Sequence, residues 1–119
     1  MPEKSTVWGL FNNPNETRVV SAGTVVFSEG DPGTEMFGIV EGEVELRGSG
    51  GLKQRLGPHE VFGEMALVDD SPRSATAVAV TETTLATIDR HRFLFLIQET
   101  PMFALEVMAV IADRLRKRG

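Results

Sequence analysis

The stretch FGEMALVDDSPRSATA, residues 62–77, decides the fold, because it joins two apolar runs through a glycine, three acids, a proline and one arginine. Pro72 prevents a helix from continuing through LVDDSP. We therefore expect a strand, a glycine turn, about one helical turn, a loop and then the strand SATAVAV. A helix this short survives by packing or by presenting its free N–H groups to an anion.

Three residues of this stretch carry the chemistry. Gly63 allows close approach of a ligand, and the guanidinium of Arg73 can fold back toward the helix amides. Glu64 cannot hold the same anion, because two anions within about 4 Å repel by several kcal/mol at a protein-like dielectric constant. It must accept hydrogen bonds, for example from a sugar hydroxyl. The residues favour a ribose phosphate, and they leave open a plain Glu64–Arg73 ion pair across the loop.

Working outward, residues 17–88 consist of short β-type runs separated by turn signals. In EVELR, Val44 and Leu46 alternate with polar residues, which is typical of a strand with one solvated face. The turn signals are EGDPG, GSGG and LGPHE, and we expect Pro32 to fix one φ and Gly33 to supply a free one. This pattern predicts a sandwich or barrel. The predicted strands are RVV, TVVF, MFGIV, EVELR, LKQRL, SATAVAV and TTLATI.

Helices are predicted at the end of the chain. Asp89 can cap a helix through RHRFLFLIQE, and Thr100–Pro101 can start a second helix that reaches about Arg116. The segment ALEVMAVIA is apolar on nearly every side, which indicates two buried faces. One face can cover the β domain and the other a partner subunit. The alternative is that the helix has a single wide apolar stripe that packs in the core. The basic residues that follow suit the negative end of a helix dipole.

Composition narrows the class of protein. A chain of 119 residues with 41% hydrophobic and 24% charged residues is one globular domain. With no cysteine, disulfides and thiolate metal sites are excluded, and a cytoplasmic location is expected. The net charge of −5 argues against nucleic-acid binding, and the longest apolar run, Val107–Ala112, is too short for a membrane span.

These motifs together resemble a known family. FGEMAL followed by PRSATA, with GDPGTEMFGIVEGEVEL before it, is similar to the phosphate-binding cassette and β segment of cyclic nucleotide-binding domains. The resemblance covers about Val20 to Arg118. It implies a β jelly-roll of about eight strands with a short N-terminal helix, a short cassette helix and two C-terminal helices. The expected division is residues 1–16, a β-roll over 17–88 with the cassette at 62–76, and C-terminal helices over 89–119.

The resemblance also implies roles for single residues. Gly63 and Ala66 match positions whose backbone amides face the ligand, Glu64 matches the acid that holds the ribose 2′-hydroxyl, and Arg73 matches the arginine that pairs with the cyclic phosphate. Ser74 occupies a variable position, and a serine there does not determine which base is bound. We favour cAMP over cGMP. The full candidate ligand-binding set is Phe62, Gly63, Glu64, Met65, Ala66, Arg73, Ser74 and Thr76, although an ordinary strand threonine is the preferred interpretation of Thr76.

The family mechanism implies a lid. Ligand draws in the cassette, the terminal helices close over the purine, and an attached unit or partner senses their movement. Related transcription regulators continue into a helix-turn-helix, whereas this sequence stops at Gly119, so we expect no direct DNA binding. A homodimer or a partner protein through the last helix is the expected contact. Candidates for covering the base are Met108, Ile111, Arg114 and Leu115.

Two alternatives come from other classes. A jelly-roll enzyme needs metal ligands, and the two histidines, His59 and His91, lie on either side of the cassette as expected exposed polar residues. No serine nucleophile with an evident base is present, so we predict no enzyme activity and no metal or cofactor besides the nucleotide. The second alternative is a degenerate fold that has lost its ligand and serves as an interaction or dimerisation module.

Overall fold

The computed structural model describes residues 17–51, 53–65, 67, 71–99, 101, 102, 104, 105, 108, 109, 112 and 113. Over these residues the chain is mainly β, with eight strands followed by a helix. The jelly-roll fold class is thereby confirmed. The strands are β1 Thr17–Val20, β2 Val25–Phe27, β3 Glu35–Glu41, β4 Val44–Arg47, β5 Lys53–Leu56, β6 Val61–Phe62, β7 Thr76–Ala79 and β8 Thr83–Asp89, and the helix α1 is Arg90–Glu99.

The strands described here form two four-stranded sheets. One has the order β1-β8-β3-β6 and the other β2-β7-β4-β5, and neighbouring strands are antiparallel. Successive strands alternate between the sheets except for β4 and β5, which are neighbours in one sheet, so most pairings are long-range. The register places Phe37 between Phe62 on β6 and Thr87 on β8. As a result, the cassette that follows β6 starts beside the first residues of β3.

The core has two parts, one on each face of the first sheet. The inner part lies between the two sheets, and its buried members are Phe37, Ile39, Val44, Leu56, Phe62, Ala77 and Leu85. The outer part lies under α1, and its members are Met36, Val61, Leu67, Ala86, Ile88, Phe93 and Leu96. Because side chains alternate along β3, Met36 and Phe37 enter different parts. The first sheet is therefore buried on both faces.

The helical region begins as predicted. The carboxylate of Asp89 accepts a hydrogen bond from the Arg92 N–H at 2.9 Å, which caps α1. Beyond α1, the described positions between 101 and 113 are helical. The expected N-terminal helix over 1–16 and the end of the second C-terminal helix, from 114 on, lie outside the described residues. In the part of the chain that the structure covers, no helix is long and apolar enough to cross a membrane.

The turns agree with the sequence in one case and differ in another. Gly50 and Gly51 have φ of 75° and 79°, as expected for the glycine-rich hairpin between β4 and β5. In the EGDPG turn the positive φ, 92°, is at Gly30. Gly33, which was expected to leave one φ free, is not among the described glycines with a positive φ, because the chain reverses before Pro32 and continues toward β3 afterwards.

Candidate functional site

The cassette begins at the end of β6 with a glycine turn. Gly63 has φ of 82°, and a Cβ built on it would lie 2.9 Å from Nη1 of Arg73 and 3.3 Å from the Phe37 ring. Met65 and Leu67 are helical, and the Leu67 N–H donates to the Glu64 carbonyl at 3.0 Å. Leu67 is buried in the core part under α1. Packing by Leu67 thus fixes a helical turn too short to be stable alone.

Arg73 reaches from the far side of the loop back to this turn. Its Nη1 donates to the Gly63 carbonyl at 2.9 Å, and its Nη2 donates to the Glu35 carbonyl at 2.8 Å. The residue is only 7% exposed. Among the described residues, its buried Nε has no hydrogen-bond partner. The guanidinium has five N–H donors and these two hydrogen bonds use only two of them, so the site holds a buried cation with donors left over.

Aromatic rings support the guanidinium. Its carbon lies 4.1 Å from the ring centroid of Phe27 and 5.7 Å from that of Phe37. Phe37 stacks on Phe62 with centroids 5.2 Å apart, and Phe27 contacts both rings at 5.8 and 6.0 Å. A guanidinium over an aromatic face at this distance gains cation–π attraction. The three phenylalanine rings hold the guanidinium in place without neutralising its positive charge.

The electrostatics of Arg73 are those of a desolvated cation. Burial lowers the pKa of Arg73, and the nearby carboxylates of Glu35, Glu64 and Asp31 act in the opposite direction. An arginine still remains protonated in a protein. A buried positive charge without a direct carboxylate partner favours binding of an anion.

Glu64 lies beside the same guanidinium and is 1% exposed. The sequence left open a plain ion pair between Glu64 and Arg73. Among the described residues, however, the ion pairs join Arg47 to Glu45 and Arg55 to Glu43 and Glu45. The hydrogen bonds of the Arg73 guanidinium end on backbone carbonyls instead. The charge of Glu64 acts on Arg73 without forming the direct pair.

A turn before β3 holds the backbone of Arg73; the sequence predicted a turn at EGDPG but not its contact with Arg73. The Arg73 N–H donates to the Asp31 carbonyl at 2.8 Å, and the Gly30 N–H donates to the Arg73 carbonyl at 2.8 Å. The Glu29 N–H donates to Oγ1 of Thr76 at 2.9 Å. These contacts use mainly backbone atoms, which carry no residue-type signature. Only the proline and glycine of EGDPG could have pointed to a fixed turn.

The structure thus brings Gly63, Glu64 and Arg73 together. Phe62 is fully buried among core residues, whereas Met65 is at the surface with 36% exposure. Ser74 is exposed, and the hydroxyl of Thr76 accepts from the Glu29 backbone. Of the lid candidates, Met108 is 57% exposed in a helical segment. The other predicted residues, Ala66, Ile111, Arg114 and Leu115, lie outside the described residues.

The two histidines are both exposed. His59 lies in the turn before β6 with φ of 72°, and its N–H donates to the Ile39 carbonyl at 2.8 Å. Histidine is among the residues that tolerate this left-handed conformation. His91 lies in the first turn of α1.

The fold and the site define the class of this protein as a β jelly-roll domain with a buried arginine behind a glycine turn. Residues 17–100 match the family described as Cyclic nucleotide-binding domain. The chain belongs to this family. The predicted resemblance is confirmed over the part of the chain that contains both sheets and the cassette.

Two relatives that match this chain are longer proteins of different kinds. The Cyclic AMP receptor protein of Thermus thermophilus is 39% identical over 107 residues, which cover 86% of this chain and 50% of the relative. A cyclic nucleotide-gated potassium channel of Mesorhizobium japonicum is 40% identical over 102 residues, which cover 86% of this chain and 27% of the channel. The chain therefore spans half or less of the length of these curated relatives.

A solved structure shows the same architecture at nearly matching length. It comes from work on a cyclic-GMP-dependent signalling pathway that regulates bacterial phytopathogenesis. It is 29% identical with a TM-score of 0.79, and the match covers 93% of this chain and 89% of that one.

Proposed function

We propose that this chain is a non-enzymatic cyclic nucleotide sensor in which Arg73 binds the cyclic phosphate. The observation that carries the proposal is the Arg73 guanidinium, which is 7% exposed and is held by two carbonyls, and whose buried Nε–H has no partner in the described part of the chain. A phosphate oxygen would accept from that donor and neutralise a charge that burial disfavours. The family to which the chain belongs supports a cyclic nucleotide as the anion.

Glu64 and Gly63 complete the proposed site. Gly63 provides a surface without a side chain beside the guanidinium, where an added Cβ would be 2.9 Å from Nη1. The carboxylate of Glu64 would accept from the ribose 2′-hydroxyl next to the phosphate. Ser74 is exposed and does not select the base by itself. We favour cAMP, because the Thermus relative is named a Cyclic AMP receptor protein, and cGMP is the competing ligand.

The output in this proposal is movement of the C-terminal helices. Met102, Leu105 and Met108 are 62%, 56% and 57% exposed, so the described side of this helical segment offers apolar surface. Closure over a bound purine would bury part of that surface. A second copy or a partner protein on the last helix would read the change. With no cysteine in the chain, we place the sensor in the cytoplasm.

Calorimetric titration of the purified chain tests the proposed function. We expect a cyclic nucleotide to bind with micromolar or tighter affinity and 5′-AMP, the control for the cyclic phosphate, to bind much more weakly. Titrating cAMP and cGMP in parallel decides between the bases. Absence of heat and of thermal stabilisation with both, in folded and ligand-free protein, would favour the degenerate interaction module. Consumption of the nucleotide would contradict the non-enzymatic assignment.

The ribose assignment of Glu64 has its own test. Glu64→Ala should weaken cAMP roughly tenfold or more, as expected for loss of a hydrogen bond to a charged acceptor, and should weaken 2′-deoxy-cAMP much less. Glu43→Ala, which removes an exposed glutamate that pairs with Arg55, is the control and should leave both affinities unchanged. An equal loss of affinity for the two ligands would exclude a contact between Glu64 and the 2′-hydroxyl.

A further inference from the structure

The segment from Ser28 to Glu35 holds Arg73 at both of its ends. At the backbone, the Arg73 N–H donates to the Asp31 carbonyl and the Arg73 carbonyl accepts from Gly30, each at 2.8 Å. At the tip of the side chain, Nη2 donates to the Glu35 carbonyl at 2.8 Å. Pro32 lies between these two contacts and restricts the backbone that joins them. One short segment therefore determines where the guanidinium lies.

Thr76 fastens this segment to the strand that follows Arg73. Its Oγ1 accepts a hydrogen bond from the Glu29 N–H at 2.9 Å. The turn itself is closed by two bonds between Ser28 and Asp31, both 3.0 Å long, one from the Ser28 N–H to Oδ2 of Asp31 and one from the Asp31 N–H to the Ser28 carbonyl. The threonine hydroxyl is thus already used as an acceptor by the turn, three residues after Arg73 in the chain.

We infer that Thr76 is a positioning residue for Arg73, acting through the Ser28–Asp31 turn without contacting the ligand. This inference rests on the proposed function of Arg73. A guanidinium at the end of a flexible side chain loses rotamer entropy when it binds an anion. A turn that fixes the backbone of Arg73 removes part of that loss before the ligand arrives, while the Glu35 carbonyl at the start of β3 holds Nη2. The hydroxyl of Thr76 keeps the turn in place.

The first test needs no ligand. The Arg73 Nε–H, assigned by its disappearance in Arg73→Lys, should exchange slowly with solvent because the atom is buried. Thr76→Val, which keeps the shape and removes the acceptor, should speed this exchange by about three- to tenfold, as expected for loss of one hydrogen bond. Thr76→Ser should restore slow exchange. The matched control Thr84→Val, on half-buried Thr84 of β8, should leave it unchanged.

The second test uses cAMP or cGMP, whichever binds the wild type. Thr76→Val should raise the Kd by about three- to tenfold and Thr76→Ser by less than about twofold. In an Arg73→Lys background, Thr76→Val should change the Kd by less than about twofold, because its effect is transmitted by the arginine. A ligand contact by Thr76 would instead give the same factor in both backgrounds.

The outcomes separate this inference from the proposed function. Unchanged exchange of the Arg73 Nε–H in Thr76→Val, or equal Kd factors in the two backgrounds, would overturn the positioning role even if nucleotide binds. If no cyclic nucleotide binds the wild type, the proposed function fails and the exchange measurement alone decides on Thr76. If Thr76→Val does not fold, Asp31→Ala replaces it, because this variant removes the hydrogen bond from the Ser28 N–H to Oδ2 of Asp31 that closes the turn. Asp31→Asn is the conservative variant at the same position.

Discussion

Arg73→Ala is expected to weaken cyclic nucleotide binding by about 2 to 5 kcal/mol, a factor of tens to thousands in Kd. The phosphate loses a charge-assisted hydrogen bond from the buried Nε–H, for which the described residues provide no partner. It also loses the cation in a place where little water can replace it, since the residue is 7% exposed. Calorimetric titration with the preferred nucleotide measures the change.

The substitution must be separated from a loss of folding. Removing Arg73 leaves the Gly63 and Glu35 carbonyls without their present donor, which should lower the free energy of unfolding by about 1 to 3 kcal/mol. Denaturant unfolding of the ligand-free variant measures this part. Arg55→Ala is the control, because Arg55 is an exposed arginine that pairs with Glu43 and Glu45 on the surface. It should change neither affinity nor stability appreciably.

Arg73→Lys distinguishes charge from shape. Lysine keeps the positive charge but lacks the fork that reaches Gly63, Glu35 and a third acceptor together. We expect an affinity between those of the wild type and Arg73→Ala. An affinity loss below about threefold in Arg73→Ala itself would exclude Arg73 as the phosphate ligand. The anion would then have to be held by the backbone amides of the cassette turn.

The parts of the site that follow from residue type were predictable from the sequence. The side-chain chemistry and spacing of the glycine, the acid and the arginine identify them as the candidate site residues of the cassette. The proline before Arg73 marks the end of the turn. The same is true of the Asp89 cap, which depends on a single carboxylate next to a helical pattern. The hydrogen bond of the cap joins residues 3 apart in the sequence, and the contact between Arg73 and Gly63 joins residues 10 apart.

The parts that depend on backbone atoms and on long-range pairing were not predictable. The carbonyl of Glu35, 38 residues from Arg73 in the sequence, and the still more distant turn at Ser28–Asp31 hold Arg73, and a carbonyl is the same for every residue type. A strand was expected before Gly63, but Val61–Phe62 has two residues, which is too short for periodicity to indicate its pairing. It exists because it pairs with Phe37 and Gly38 on β3.

The turn between β3 and β4 provides the second large expected effect, on stability. Gly42 has φ of 98°, and a Cβ there would lie 2.5 Å from Oγ1 of Thr83, 2.6 Å from the Glu82 carbonyl and 2.8 Å from the Thr83 Cα. Two of these atoms belong to backbone at the start of β8. That strand is paired with β1 on one side and β3 on the other, so it cannot easily move away.

Gly42→Ala should therefore lower the free energy of unfolding by about 3 kcal/mol or more, combining the strained φ with an overpacked contact. Urea unfolding measures the loss. Gly23→Ala is the matched control, because Gly23 has a similar φ of 90° but nothing within 4 Å of its Cβ position. Only the strain applies there, and a loss of about 1 kcal/mol is expected.

The difference between the two glycine variants isolates the close approach of β8 to the turn. Thr83 is fully buried at this point, with its Oγ1 3.1 Å from the Glu43 carbonyl and 2.8 Å from the Thr81 carbonyl. An added methyl group must displace this hydroxyl, the strand or both. Equal losses in the two variants would show that the strand does yield. The turn would then tolerate any residue that accepts a positive φ, and the packing of β8 against it would contribute little to stability.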